Sequence, residues 1–205
     1  MFHSDGKLMR LMNWITRFIY LQILWILFSL LGLVVGGLFP STFTMFGISR
    51  KWMREHTDFP LFRTFLEMFR ESFFKANMLG WGMSLFAFSI YFYYRWFNEL
   101  TGILPTVLIG ILVVLGFSFL VISLFIIPVY AHFNVSLLNV IKHAALIAIS
   151  HPLHAVAMAI ILVVFWYIMI YWPIVFLFIG VSFLAYALMG IANAAFNNIE
   201  RKLER

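Results

Sequence analysis

The chain has 205 residues, 64% of them hydrophobic and 11% charged, with a formal net charge of +6 and with Phe, Trp and Tyr making up 20%. A soluble domain is about half apolar and a quarter charged, so this composition excludes an ordinary soluble fold and identifies an integral membrane protein. There is no cysteine, which excludes disulfides and thiolate metal sites, and the cations flank apolar runs, so anionic headgroups account for the basic charge better than nucleic acid does.

No Asp, Glu, Lys or Arg occurs in 18–49, 76–94, 100–141 or 143–199. A crossing needs about 20 residues, so the shortest run matches one span and the others exceed one. The amino-terminal MFHSDGKLMRLMNWITRF leads into a run far longer than a signal-peptide core, with no A-x-A-like site after it. The first span, about Phe18 to Phe39, is therefore expected to be retained. Gly32 and Gly36 form GLVVG, a small-xxx-small pattern expected to serve packing within the chain rather than a dimer seam.

Gly36, Gly37 and Pro40 are expected to break the first span. Ser41 to Ser49 then either re-enter the membrane or extend the span, and Arg50, Lys51 and Trp52 are expected to anchor the interface. In PLFRTFLEMFRESFFKA, residues Phe62, Phe65, Leu66, Phe69 and Phe73 recur at three and four, opposite Arg63, Glu67, Arg70, Glu71 and Lys75. That stripe predicts an amphipathic helix lying in the interface. The spacing of Arg63 with Glu67 and of Glu71 with Lys75 suits pairs one turn apart.

A second span is expected over Asn77 to Phe97, then a short connection through Asn98, Glu99, Thr101 and Gly102, then a third apolar segment over 103–131 with a second break at Pro128. NVSLLNVIKHAALIAIS follows as a weaker surface helix. Tyr171, Trp172 and Pro173 divide the last run into a fourth span near 153–171 and a fifth near 174–195, because Pro suits a helix start and aromatics suit an interface. The predicted fold is all-α: one integral membrane domain over 1–205, a transmembrane bundle of about five spans plus interfacial amphipathic helices. Pro40 and Pro128 open comparable units, 14–97 and 103–195, in the pattern of an internal duplication.

Two orientations stay open. Five simple spans would put ten cations on the side of the carboxyl terminus and Lys7, Arg10, Arg17 and Arg95 on the other, which places the amino terminus outside. If 41–49 returns the chain as a half helix, Arg50 joins Lys7, Arg10 and Arg17, and the amino terminus lies inside.

Chemistry is sparse. All eight carboxylates, Asp5, Glu55, Asp58, Glu67, Glu71, Glu99, Glu200 and Glu204, lie outside the expected spans, so neither acid-base catalysis nor an ion relay is expected, and no cofactor is implied. His143, His151 and His154 could approach a metal, but Pro152 disturbs that helix face, and a headgroup-facing role is expected, as for His132. Gln22, Ser29, Ser84, Ser89, Thr106, Ser118 and Ser123 either line a solute path or bond between helices. Phosphate loops, nucleic-acid modules and the EAA loop of ABC permeases are absent.

The order GLFPSTFTMFGISRKWMRE, then DFPLFRTFLEMFRESFFKAN, preceded by LMNWITRFIYLQILWILFSLLGL, resembles the YesL-like family of bacterial multi-pass membrane proteins. The shared positions are Gly37, Phe39, Pro40, Ser41, Thr42, Arg50, Lys51, Trp52 and Phe74 with Lys75. Such proteins are often encoded beside carbohydrate ABC importers and polysaccharide-degrading enzymes in Gram-positive bacteria. The resemblance therefore implies a multi-pass protein of the cytoplasmic membrane, acting as a non-catalytic accessory subunit of an oligosaccharide ABC importer, with permease and ATPase subunits as partners. The competing expectations are a stand-alone transporter or channel for a small neutral solute, built from two repeats, or a membrane regulator.

Overall fold

Backbone in hydrocarbon must satisfy its own polar groups, and helices do so within one segment. The computed structural model describes residues 5–54, 59–133 and 135–203, with side-chain surroundings for 8–54, 59–133, 135–175 and 177–197. Glu55, Asp58, Asn134, Glu204 and Arg205 lie outside the described residues. The order is α1 (Asp5–Leu31), α2 (Leu38–Arg54), α3 (Leu61–Asn98), α4 (Ile103–His132), α5 (Leu137–Ser150), α6 (Pro152–Tyr171), α7 (Pro173–Val175), a π-helical turn (Phe176–Gly180) and α8 (Val181–Leu203). No strand occurs among the described residues.

The first span stops at Leu31, earlier than the sequence suggests, in a six-residue reversal. Leu33 and Val34 take positive φ of 55° and 63°, a conformation that bulky and β-branched residues rarely adopt. A Cβ on Gly32 would overlap the backbone of Gly37, and one on Gly37 would stand 2.6 Å from the Phe28 carbonyl oxygen. The GLVVG glycines therefore close a turn within the chain. Pro40 does not break α1; it occupies the first turn of α2, where a missing N–H costs nothing.

Beyond the reversal, α2 runs back along α1. Trp25 Nε1 donates to Thr42 Oγ1 at 3.1 Å, and Trp52 meets Trp14 and Phe18 edge to face at 5.8 and 5.7 Å. Residues 41–49 thus return the chain rather than extending the first span. Pro40, Ser41 and every residue from Phe43 to Ser49 are buried, because α1, α3, α4 and α8 surround α2.

The amphipathic stripe and the expected second span form one 38-residue helix, α3, about 57 Å long at 1.5 Å per residue. Nothing between Lys75 and Met78 breaks it. The stripe packs on protein rather than lying free on the membrane: Phe65 is 0% exposed, and Phe62, Phe65 and Phe69 gather around Phe28 at 6.1, 4.9 and 5.0 Å. Further along, α3 and α4 pair antiparallel, with Phe86 against Phe119 at 5.0 Å. Pro128 likewise does not end α4, which continues one turn to His132.

Pro173 begins a helix as expected, and Pro152 also occupies a first helical position. α8 returns along α1, with Tyr186 5.6 Å from Trp14, and ends with Phe196 4.5 Å from His132. Among the described residues, four stretches, against about five expected, are long and apolar enough to cross a membrane: Leu8–Leu31, Ile103–His132, Pro152–Tyr171 and Pro173–Asn197. The chain is thus a polytopic helical membrane protein, with the aromatic-rich 77–97 paired to α4 as the far half of α3. Both α1 and α2 bring their cations, Arg10, Arg17, Lys51 and Arg54, to the end of the bundle where α4 and α8 finish. Among the described Lys and Arg residues, Arg95 alone sits at the other end, beside the α3–α4 loop.

Two measurements check this arrangement. In the cysteine-free chain, Lys51→Cys and Lys142→Cys should react with an impermeant maleimide from one membrane face, and Asn98→Cys from the other; shared labelling of 51 and 98 would mean that α2 continues across. Phe39 lies on Gly80, whereas a Cβ on Gly82 meets open space. Gly80→Ala should therefore lower thermal stability in detergent by about 1–3 kcal/mol, while Gly82→Ala leaves it unchanged or slightly raised.

Candidate functional site

The carboxyl half of α2, TMFGISRKW, has small or apolar residues where it is enclosed and cations where it emerges. Gly47 lies under the terminal methyl of Met68 of α3, and Thr44 Oγ1 lies 3.5 Å from Ser72 Oγ. This close fit brings Arg50 against the last turn of α4, where its Nη1 donates to the Ala131 carbonyl at 2.9 Å. Arg54 Nη2 lies 3.4 Å from His132 Nε2. A guanidinium at a helix C-terminus meets carbonyls that lack intrahelical donors and the negative end of the helix dipole.

Where α2, α3 and the end of α4 meet, they enclose a cavity of about 380 Å³. Thr44 and Arg50 line it from α2, Glu71, Ser72 and Lys75 from α3, and Tyr130 and His132 from α4, with Phe43 and Phe133 as aromatic walls. Phe43 and Tyr130 pack edge to face at 4.9 Å. Two cations, one carboxylate, hydroxyls and ring faces among the described lining residues can bind a polar or anionic group.

Two buried side-chain bridges hold the surrounding helices. Gln22, 1% exposed, accepts from the Ser182 backbone N–H at 3.0 Å, and Ser182 Oγ donates to the Phe18 carbonyl at 3.0 Å. Ser182 lies in the first turn of α8, just beyond the π-helical turn, a departure from regular α geometry that is common at functional sites. Asn77 Nδ2 donates to the carbonyls of Gly36 and Phe73, each at 2.9 Å, which ties α3 to the reversal.

The motif residues occupy defined places around these features. Gly37 closes the reversal, Phe39 packs on Gly80 and on Trp81 at 5.5 Å, Ser41 is buried, and Thr42 receives Trp25 while donating to the Leu38 carbonyl at 2.8 Å. Lys51 Nζ lies 4.9 Å over the Phe59 ring. Trp52 departs from its expected anchoring role: at 5% exposure it is a core residue in a cluster with Trp14 and Phe18. Of the stripe, Phe65 is buried, Leu66, Phe69 and Phe73 are half-buried, and Lys75 reaches the cavity. His143 stacks on Phe133 at 5.7 Å while His151 and His154 face each other at 5.4 Å, and among the described residues no His, Asp or Glu trio is placed to share a metal ion.

Sequence reasoning missed Thr44, Ser72, Tyr130 and Ser182. The only local signal for them was a hydroxyl or amide in an apolar setting, which Gln22 displays equally.

Comparison with known proteins gives a family and full-length relatives. Residues 18–94 match the family described as "Protein of unknown function, DUF624". The chain is 31% identical over 206 residues to "Uncharacterized protein YesL" of Bacillus subtilis (strain 168), covering 100% of this chain and 97% of that protein. It is 29% identical over 203 residues to "Uncharacterized protein YteU" of the same strain, covering 97% and 89%. "Uncharacterized protein YesV" is 30% identical over 139 residues, 68% of this chain and 67% of that one. No solved structure matches. The family match contains the reversal, α2 and most of α3, the elements that build two of the three cavity walls.

Arg50→Gln should weaken the α2–α4 junction by about 1–2 kcal/mol, the scale of a polar bond between membrane helices, read as a lower midpoint of thermal unfolding in detergent. Lys75→Gln, exposed at the cavity mouth, should leave that midpoint unchanged. Equal midpoints for wild type and Arg50→Gln would remove the junction role.

Proposed function

This chain belongs to the DUF624 family of membrane proteins, and from that premise we propose that it is a non-catalytic accessory subunit of a carbohydrate ABC importer in the bacterial cytoplasmic membrane. The observation that carries this reading is the α3–α4 hairpin beyond Gly80. Its two helices pack on each other and leave broad apolar faces outward, with Leu85 and Phe88 of α3 and Leu104 and Val114 of α4 each more than half exposed. A face of that kind suits lipid and can equally pack by van der Waals contact against the spans of a permease. The cation-rich end is the cytoplasmic one by the positive-inside rule, so the cavity faces the side on which an importer's ATPase works. The resemblance to proteins encoded beside carbohydrate importers supplies the substrate class.

A second reading is a stand-alone transporter for a small neutral solute. The polar cavity favours it, because the carboxyl halves of α2 and α4 meet there on polar side chains of α3.

Affinity purification of the full chain from native membranes in mild detergent should co-isolate permease and ATPase subunits. Recovery of the protein alone, together with solute flux in liposomes that contain no ATP and no partner, would replace the first reading with the second.

A further inference from the structure

Next to the polar cavity lies a groove of about 570 Å³ with almost wholly apolar walls. It runs between α3 and α4 under the start of α5, with Met78, Gly82 and Phe86 along α3, Ile122 on α4 and Leu138 on α5. The two recesses share an edge. Lys75 of the cavity and Met78 of the groove are neighbours on one face of α3, one turn apart, and Val135 of the cavity is followed by Leu137 and Leu138 of the groove. From Met78 to Phe86 the groove follows α3 away from the cationic end for about 12 Å, at 1.5 Å per residue. A charged recess at the cationic end that continues into an apolar channel along α3 has the profile of a single amphiphile.

We propose that cavity and groove form one site for an anionic phospholipid of the leaflet at the cationic end, with its phosphate between Arg50 and Lys75 and an acyl chain laid along α3. Charge complementarity selects this occupant: among the described residues that line the cavity, Arg50 and Lys75 outnumber the carboxylate of Glu71, which lies one turn from Lys75 on the same helix. The phosphate completes the set by accepting from guanidinium and ammonium donors. The proposal is independent of the importer reading, since it concerns a lipid and needs no second protein.

The test uses native mass spectrometry on the full chain in mild detergent with palmitoyl-oleoyl phosphatidylglycerol, phosphatidylcholine of the same chains, and glycerol 3-phosphate. Phosphatidylglycerol should be retained in preference to phosphatidylcholine. Lys75→Gln should reduce its retention about fivefold, the effect of one cation at a charged surface, and leave phosphatidylcholine unchanged. Gly82→Leu fills the groove at a position with open space beside it, so it should fold and lose both lipids. Equal retention of the two lipids, or no effect of Lys75→Gln, would overturn the headgroup site. Unchanged retention in Gly82→Leu, or displacement of phosphatidylglycerol by glycerol 3-phosphate at equal concentration, would overturn the lipid and leave a soluble phosphate compound as the ligand.

Discussion

The reversal at Gly32–Gly37 governs the rest of the architecture. A break in a helix at membrane depth exposes backbone groups that hydrocarbon cannot satisfy, each costing several kcal/mol if left unpaired. Here the turn bonds to itself, with Val34 N–H donating to the Ser29 carbonyl at 2.8 Å and Gly36 N–H to the Gly32 carbonyl at 2.9 Å, while Asn77 takes the Gly36 carbonyl from the side. Two residues in left-handed conformations are tolerated because glycines on either flank let the chain close within its own radius. The result is that a 17-residue helix is turned inward and becomes the element around which four others assemble.

That inward turn explains where the charge goes. A cation carried on a helix that emerges into water would be a topological marker and little else. Arg50 is carried on a helix that emerges beside the end of α4, so it meets carbonyls that need a donor, and its charge is used twice, for orientation and for joining two helices. Pro128 fits the same picture. It removes one backbone bond four residues before α4 finishes, and His132 and Tyr130 in that last turn contribute to the cavity wall.

Much of this was legible in the sequence. The charge-free runs gave the helical membrane class, the spacing of Phe62, Phe65, Phe69 and Phe73 gave a helix, of which Phe65 is the buried member, and Pro173 marked a helix start. The boundaries around α2 were not, because Leu33 and Val34 carry no preference for the conformation they adopt, and Pro40 reads as a breaker although it sits harmlessly in a first turn. Trp52 next to Arg50 and Lys51 has the composition of an interfacial anchor; only the antiparallel hairpin, which sets it against Trp14 and Phe18, makes it core. The cavity escaped for a different reason. Its lining comes from separate stretches, 43–50, 68–75 and 130–135, and Gln22 and Ser182 lie 160 residues apart, whereas a single sequence reports what is near in order, not what folding brings together. The likeness of the two units is likewise one of order: α2 is enclosed on every side, whereas α5 buries Val140, Ala144, Ile147 and Ala148 and exposes Leu138, Leu146 and Ile149.

The unbroken length of α3 has a mechanical side. The helix is gripped near its middle, where Phe39 seats on Gly80 and Asn77 holds the reversal, and it extends nearly equal distances to either side of that grip. Its amino-terminal half packs on α1 and α2 and its carboxyl half pairs with α4, so one continuous helix joins the polar cavity at Glu71 and Lys75 to the loop from Glu99 to Gly102 at the other end of the bundle.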